Sequence, residues 1–484
     1  MHDLRTKTAR AGFINVGSRG LGFAIRIASL MILGRLLDPT DYGLVTMVTA
    51  FTGILNMFGG FGLFQAAIQR DVLSEEQSTA LFWLNLAFGG LLTLAAFVGA
   101  PFVGAFYSEP RLIPVMEVIS LTFVMTAAGV QHGVLLQRRM AFGVSAIIDI
   151  SALLVATVVS VGMAFLGYEY WALVSMTITL PLATTVGLWL STRWIPGLPR
   201  TASGVRAMLG FGCGTTLTGF VSYLGNNTDK LLLGRVWGTE AIGIYGRAFH
   251  LINFPGDNLN ATVGEVAFAA LSRTRSDPER LRRYFLKGYS LVVTLTLPLT
   301  VVCALFADDI IAVMLGPKWA SAAEIFRALA PTILIFAIMN PLGWLLNVLG
   351  LIKRGVYIAL STAPFTIAGI VIALPYGPQG VATAYSAVMV IKMIPVSFWA
   401  LHGTGIRVRD IIMALARPLA ASLTAAASGY AAHALYAPML SSLLRLACDV
   451  IIFGTVYVTA LILIAGKNAL HLDVVRVARA APTG

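Results

Sequence analysis

About fourteen apolar segments, each roughly 20 to 27 residues long and rich in Leu, Val, Ala and Gly, make up most of this chain, and that pattern limits it to a few architectures. Runs of this length suit helices crossing a hydrocarbon core about 30 Å thick, whereas barrel strands would read as alternating stretches of about ten residues. Each helix then satisfies its backbone polar groups internally. Composition agrees: of 484 residues 57% are hydrophobic and 12% charged, with a mean hydropathy of +0.83. The fold class expected is all-α, a polytopic membrane protein of about 14 transmembrane helices. Cys213, Cys303 and Cys448 all fall inside apolar runs and offer neither a disulfide framework nor metal-ligand spacing. The first run is long, contains two arginines and lacks an Ala-x-Ala cleavage site, so it reads as an uncleaved first helix.

The expected spans are 11–36, 42–68, 80–106, 114–133, 142–166 and 169–190, then 208–234, 239–266, 284–307, 321–347, 355–374 and 379–402, and finally 411–436 and 440–465. Connections between them are short, so no folded extramembrane domain is expected. With both termini on the cytoplasmic side, about 22 of the 34 Lys and Arg fall in cytoplasmic turns and about five on the opposite side. That asymmetry accounts for the net charge of +12 as an orientation signal; a nucleic-acid partner is not expected.

A faint internal repeat runs through the chain. Displaced by 200 residues, Leu33, Gly34, Arg35 and Gly43 meet Leu233, Gly234, Arg235 and Gly243, and Gly12 meets Gly212. Six helices separate the copies, an even number, so the halves run parallel and are related by an axis along the membrane normal. The organisation read from this is an N-terminal six-helix lobe at 1–200, a second at 201–403, and two additional helices with a cytoplasmic tail at 404–484.

Seven basic residues are stranded inside apolar runs: Arg19, Arg26, Lys230, Arg247, Arg327, Lys392 and Arg417. A cation in hydrocarbon costs roughly 2.5–3.5 kcal/mol even on mild insertion scales, so such residues face a watery cavity or a partner. Asn15, Arg19, Gly22 and Arg26 share one face of the first helix. No acidic residue lies at i±3 or i±4 of either arginine, which favours a functional role for the pair. The seventh helix carries Thr215, Thr218, Ser222, Asn226 and Asp229 along a face, with Lys230 adjoining, and the eighth carries Arg247, His250, Asn253, Asp257 and Asn260. The second adds Thr49, Thr52, Asn56 and Gln65. These are the opening pairs of the two halves, and their polar faces are expected to meet in a net cationic cavity.

Several of these residues have plainer readings. Asp229 can neutralise Lys230 or an arginine of a neighbouring helix, and His250 can be a hydrogen-bonded interior residue. Arg327 lies one turn from Glu324, and Arg445 one turn from Asp449, so local pairing is expected for both. Arg417 is near enough to a helix end to snorkel, and Lys392 has no evident assignment.

Four stretches carry a family resemblance. They are Gly34 to Leu44 (Gly-Arg-Leu-Leu-Asp-Pro-Thr-Asp-Tyr-Gly-Leu), Gly62 to Gln69, Gln131 to Phe142 (Gln-His-Gly-Val-Leu-Leu-Gln-Arg-Arg-Met-Ala-Phe), and Asn227 to Gly238 running into Gly243 to Ala248. In this order they resemble the Wzx-like polysaccharide flippases of the multidrug/oligosaccharidyl-lipid/polysaccharide (MOP) exporter superfamily, nearest the branch serving exopolysaccharides. The resemblance implies two pseudo-symmetric six-helix lobes around a central cavity plus two C-terminal helices, in a bacterial inner membrane. It implies translocation of an undecaprenyl-diphosphate-linked oligosaccharide between leaflets, for exopolysaccharide or lipopolysaccharide biosynthesis, with a polysaccharide polymerase and export machinery acting next.

For that cargo Arg19, Arg26 and Arg247 are the expected diphosphate ligands, and Asn15, Asn226 and Asn253 suit sugar hydroxyls. Asp229, Lys230, His250 and Asp257 are candidates for ion coupling or ion pairing. No enzyme activity, cofactor or metal is expected. A drug/cation antiporter of the same superfamily is the alternative, disfavoured because a cationic cargo prefers an acidic cavity. An integral-membrane glycosyltransferase, polymerase or ligase is a further one, disfavoured because no substantial outer loop or nucleophile-base arrangement stands out.

Overall fold

The structure, a computed structural model, describes residues 2–59, 74–198, 205–274 and 277–465; within these, the side chains of Asn15, Arg19 and Asp257 lie outside the described set. The chain falls into two compact units, Met1–Ile244 and Tyr245–Gly484. Among the described residues there are helices and no strands. Among the described residues nine stretches are long and apolar enough to cross a membrane, and two of these, Ala322–Val348 and Ile352–Leu401, each contain two helices.

The first unit holds α1 (His2–Leu36), α2 (Pro39–Gly59), α3 (Glu75–Tyr107), α4 (Leu112–Arg138), α5 (Phe142–Phe165), α6 (Tyr170–Thr192) and the opening limb of α7 (Val205–Arg273). The start of α3 illustrates how sequence sets these ends. Ser74 Oγ accepts from Gln77 N at 3.1 Å and Ser74 N donates to Gln77 Oε1 at 3.2 Å, a reciprocal capping box, with Glu75 and Glu76 favourably placed in the first turn. In the turn before α4, Arg111 pairs with Glu109 at 2.8 Å, and its hydrogen bond holds that carboxyl below the usual carboxylate range. Packing joins α3 to α4, α5 to α6, α4 to α6 and α1 to α5.

Helical backbone in α7 runs through both expected spans, 208–234 and 239–266, and is interrupted only at Gly238, whose φ of 80° suits a residue without Cβ. The limb of α7 around that break packs against α2 with no room for side chains. A Cβ on Gly43 would come within 1.8 Å of Thr239 O, and one on Gly243 within 1.8 Å of Pro39 O. The two contacts are reciprocal under the 200-residue displacement: 43 meets 239, and 39 meets 243. That is the signature of a two-fold contact, in which each segment offers the other the same surface.

The second unit continues with α8 (Pro278–Leu305), α9 (Ala307–Met314), a 3-10 turn (Pro317–Trp319), α10 (Ala322–Leu329), α11 (Pro331–Val348), α12 (Ile352–Ala373), α13 (Gly377–Leu401), α14 (Val408–Tyr436) and α15 (Ser442–Ala465). Asp277 caps α8 by accepting from Glu279 N and Arg280 N, with Pro278 at the first helical position. The core gathers Leu281, Phe285, Tyr289 and Leu297 of α8 with Leu342 and Leu345 of α11 and Ile411 of α14. Several helices run beyond the expected spans, α1 starting at His2, α4 ending at Arg138 and α8 starting at Pro278, and two features of this unit depart further. The connection at 307–320 contains a helix and a 3-10 turn, and the run 321–347 is two helices, divided where Pro331 starts α11.

Candidate functional site

Arg26 is the one expected diphosphate ligand in the first unit whose side chain is described, and it is exposed. One and two turns on, the same stripe of α1 continues into Leu30 and Leu33, both buried, so the stripe passes from open to closed at Arg26. Ser29 beside it reaches Met176 Sδ of α6 at 3.9 Å, which fixes the rotation of α1. The sequence reading missed Asp149 of α5, an exposed carboxylate that Arg26 acts on electrostatically. It lies far from Arg26 in sequence, and only the packing of α1 on α5 brings the two charges near each other. An acidic residue inside an apolar run was the one available signal.

Threonines of α2 turn inward on their own helix: Thr49 Oγ1 donates to Thr46 O at 3.1 Å and Thr52 Oγ1 to Thr49 O at 3.4 Å, and Thr52 is buried. Asn56 is exposed, whereas Gln65 and the motif from Gly62 to Gln69 lie outside the described residues. On α7, Asn226 is exposed and Asp229 fully buried. Lys230 Nζ donates to Asn227 Oδ1 at 2.9 Å, and Asn227 Nδ2 to Tyr223 O at 3.0 Å, so Asn227 is a link the stripe reading overlooked. Tyr223 in turn donates to Ala50 O of α2 at 2.9 Å, over a Gly53 that leaves it room.

In the second unit Arg247 and Asn253 are half-buried and His250 is exposed, its ring 6.0 Å from Phe254. Tyr245 and Phe249 anchor this part of α7, with Phe249 edge-on to Tyr385 of α13. The side chains of Asn15, Arg19 and Asp257 fall outside the described set, as do those of Thr215, Thr218, Ser222 and Asn260.

Two expected local ion pairs are replaced by pairs across the fold. Arg327 reaches Asp308 at 2.5 Å and Ala304 O at 3.2 Å in place of Glu324, and Arg445 rests on Asp309 while Asp449 is taken by His433 and Tyr436. The reason is α9, which presents Asp308 and Asp309 in its first turn where the sequence suggested a plain loop. Lys392 also gains a partner, Thr366 Oγ1 of α12 at 3.1 Å.

The motif from Gln131 to Phe142 does packing work. Trp189 Nε1 of α6 donates to Ala128 O at 2.9 Å, and His132 Nδ1 lies 2.6 Å from Thr192 Oγ1. The Thr192 hydroxyl donates to Leu188 O, so it accepts from His132, which is wholly buried under Trp189.

Residues 32–324 match the family described as polysaccharide biosynthesis protein. The chain belongs to that family. It is 26% identical to the lipopolysaccharide biosynthesis protein WzxC of Escherichia coli (strain K12) over 350 residues, 71% of this chain and 70% of that one. It is also 26% identical to the teichuronic acid biosynthesis protein TuaB of Bacillus subtilis (strain 168) over 321 residues, 66% of each. Among solved structures it is similar to the lipid II flippase MurJ in an inward closed conformation, with a TM-score of 0.72 at 14% identity over 94% of this chain and 98% of that one. It is similar as well to an inward-facing multidrug resistance MATE family transporter of the MOP superfamily, with a TM-score of 0.62 at 13% identity over 81% and 95%. The all-α polytopic fold and the Wzx-like resemblance read from the sequence both hold, and the chain is a multi-pass membrane protein.

Proposed function

We propose that this chain flips undecaprenyl-diphosphate-linked oligosaccharide repeat units from the cytoplasmic to the periplasmic leaflet of a bacterial inner membrane, for exopolysaccharide or lipopolysaccharide biosynthesis. Within the polysaccharide biosynthesis family, the observation that carries this reading is the exposed Arg26 on α1, a helix that the sequence reading places in the membrane. An exposed arginine at membrane depth is costly against lipid, so it belongs to a wet space, and a diphosphate is the anion that suits a planar five-donor fork. Arg19 and Arg247 join it in this reading, with Asn15, Asn226 and Asn253 meeting sugar hydroxyls. The lobes are 1–200 and 201–403, with 404–484 appended, and both termini are cytoplasmic. The cycle is alternating access of these lobes about the reciprocal contact of Gly43 and Gly243, and a polymerase and export machinery consume the product.

The test is a vesicle assay: the purified chain is reconstituted with a fluorescent lipid-linked oligosaccharide, and the fraction open to an external glycosidase is followed over time. Wild type is expected to equilibrate the leaflets, and failure to do so overturns the proposal. Arg26→Ala is expected to lower the rate about 10- to 100-fold with normal protein levels, as befits loss of a charged hydrogen bond. An unchanged rate removes Arg26 from the site while leaving the flippase reading standing. Ion coupling through Asp229, Lys230, His250 and Asp257 is a second element of the proposal, favoured by the full burial of Asp229. Flipping that persists without proton and sodium gradients removes it.

A further inference from the structure

At the end of the second unit remote from its basic turns, three residues far apart in sequence converge. Arg282 of α8 pairs with Asp410 of α14 at 2.8 Å, so these helices start together and finish together at the other end. There Asp309 of α9, His433 of α14 and Asp449 of α15 each place a ligand atom within 4.8 Å of the others. Asp309 and Asp449 are both buried, Asp449 completely. His433 Nδ1 lies 3.0 and 3.1 Å from the two Asp449 oxygens, and the Tyr436 hydroxyl donates to Asp449 Oδ1. Arg445 places Nε at 2.7 Å and Nη2 at 2.5 Å on Asp309, both on Oδ1, and is itself held by Ala437 O and Ser442 Oγ.

Arg445 answers one of the two buried carboxylates, and the other, Asp449, is completely buried while the Arg445 contacts go to Asp309 instead. A buried carboxylate without a compensating cation is costly. We propose that Asp309, His433 and Asp449 bind one divalent transition-metal cation of the zinc or manganese type between α9, α14 and α15. One imidazole with two carboxylates is a donor set such ions accept, whereas calcium wants six or more oxygens. Bonds of about 2.0–2.2 Å put ligand atoms roughly 3–4 Å apart, so small side-chain shifts close the site. Both Arg445 contacts with Asp309 go to Oδ1, so Oδ2 is the oxygen to offer. Tyr436 and Arg445 orient the two carboxylates from behind, as outer partners of metal ligands do. The ion ties α14 and α15, which lie beyond the family match at 32–324, to the rest of their unit. The inference is independent of the flippase reading.

The test uses the tag-free full-length chain in detergent, stripped with a chelator and titrated with Zn2+ or Mn2+ alone, with bound metal counted after gel filtration. About one metal per chain is expected, together with a rise in unfolding temperature that the chelator reverses. His433→Ala and Asp449→Asn are expected to abolish stoichiometric binding. Tyr436→Phe, which removes only an orienting hydroxyl, is expected to weaken it about tenfold with the gel-filtration profile unchanged, and keeps the test valid if a ligand variant misfolds. No stoichiometric binding by wild type, or binding undiminished in all three variants, overturns the site.

Discussion

In the first unit, Arg26 and Asp149 stand exposed on packed helices, whereas in the second unit Arg282, Arg327 and Arg445 each rest directly on a carboxylate. Both units are built from apolar helices, so hydrophobicity does not separate them. The difference between these two groups of residues is what each does with charge, since Arg111 of the first unit also pairs, with Glu109 in a turn. The second unit joins helices through neutralised pairs, including the network that holds α9, α14 and α15, and such pairs offer little to a passing anion. The first keeps a cation open on α1, at the point where its stripe closes into Leu30 and Leu33. Charge that is paired serves the scaffold, and charge left open is what the proposed diphosphate would meet.

The sharpest way to break this comparison is to open a pair in the second unit. Arg445→Ala leaves Asp309, whose side chain is 4% exposed, without its guanidinium. Stability is expected to fall by about 3–5 kcal/mol, read as a lower unfolding temperature in detergent, since a buried charge loses its partner. Next comes the contact of α2 with α7. Gly43→Ala and Gly243→Ala each press a methyl onto backbone and are expected to cost about 1–3 kcal/mol apiece, in nearly equal measure because the contact is reciprocal. A large inequality between the two would deny the symmetry. In the open region, Asp149→Asn removes the negative charge that Arg26 feels, and half-saturating substrate is expected to fall about two- to fivefold as the anion is held more tightly. A rise instead would assign Asp149 to substrate directly. The smallest effect is expected from Arg327→Gln, because that pair is 44% and 72% exposed; its stability cost should stay within about 1 kcal/mol.

The helices were legible because length and apolar content alone decide whether a run can cross a membrane, and the resemblance was legible in the turn before Gly43 and the Asn227 to Gly238 stretch. Ends were less so. The short helix α9 was hidden because Ala-Asp-Asp-Ile-Ile reads as a charged turn, and the split at Pro331 because proline is as welcome in a first helical turn as it is disruptive later. Pairings were the least visible. Spacing along a helix suggested Glu324 for Arg327 and Asp449 for Arg445, yet carboxylates arriving from α9 displaced both, since neighbours in space outrank neighbours in sequence once helices pack. The same limit hid Asp149 from Arg26. Glycines 43 and 243 matched in the repeat, but nothing in the letters showed that the two copies touch.

That touch carries a constraint. A surface that maps onto itself under a fixed shift of numbering meets any change on one side with its own counterpart on the other. A side chain added at either glycine would land on the backbone of the opposite segment, so the seam holds only as long as both side chains are absent.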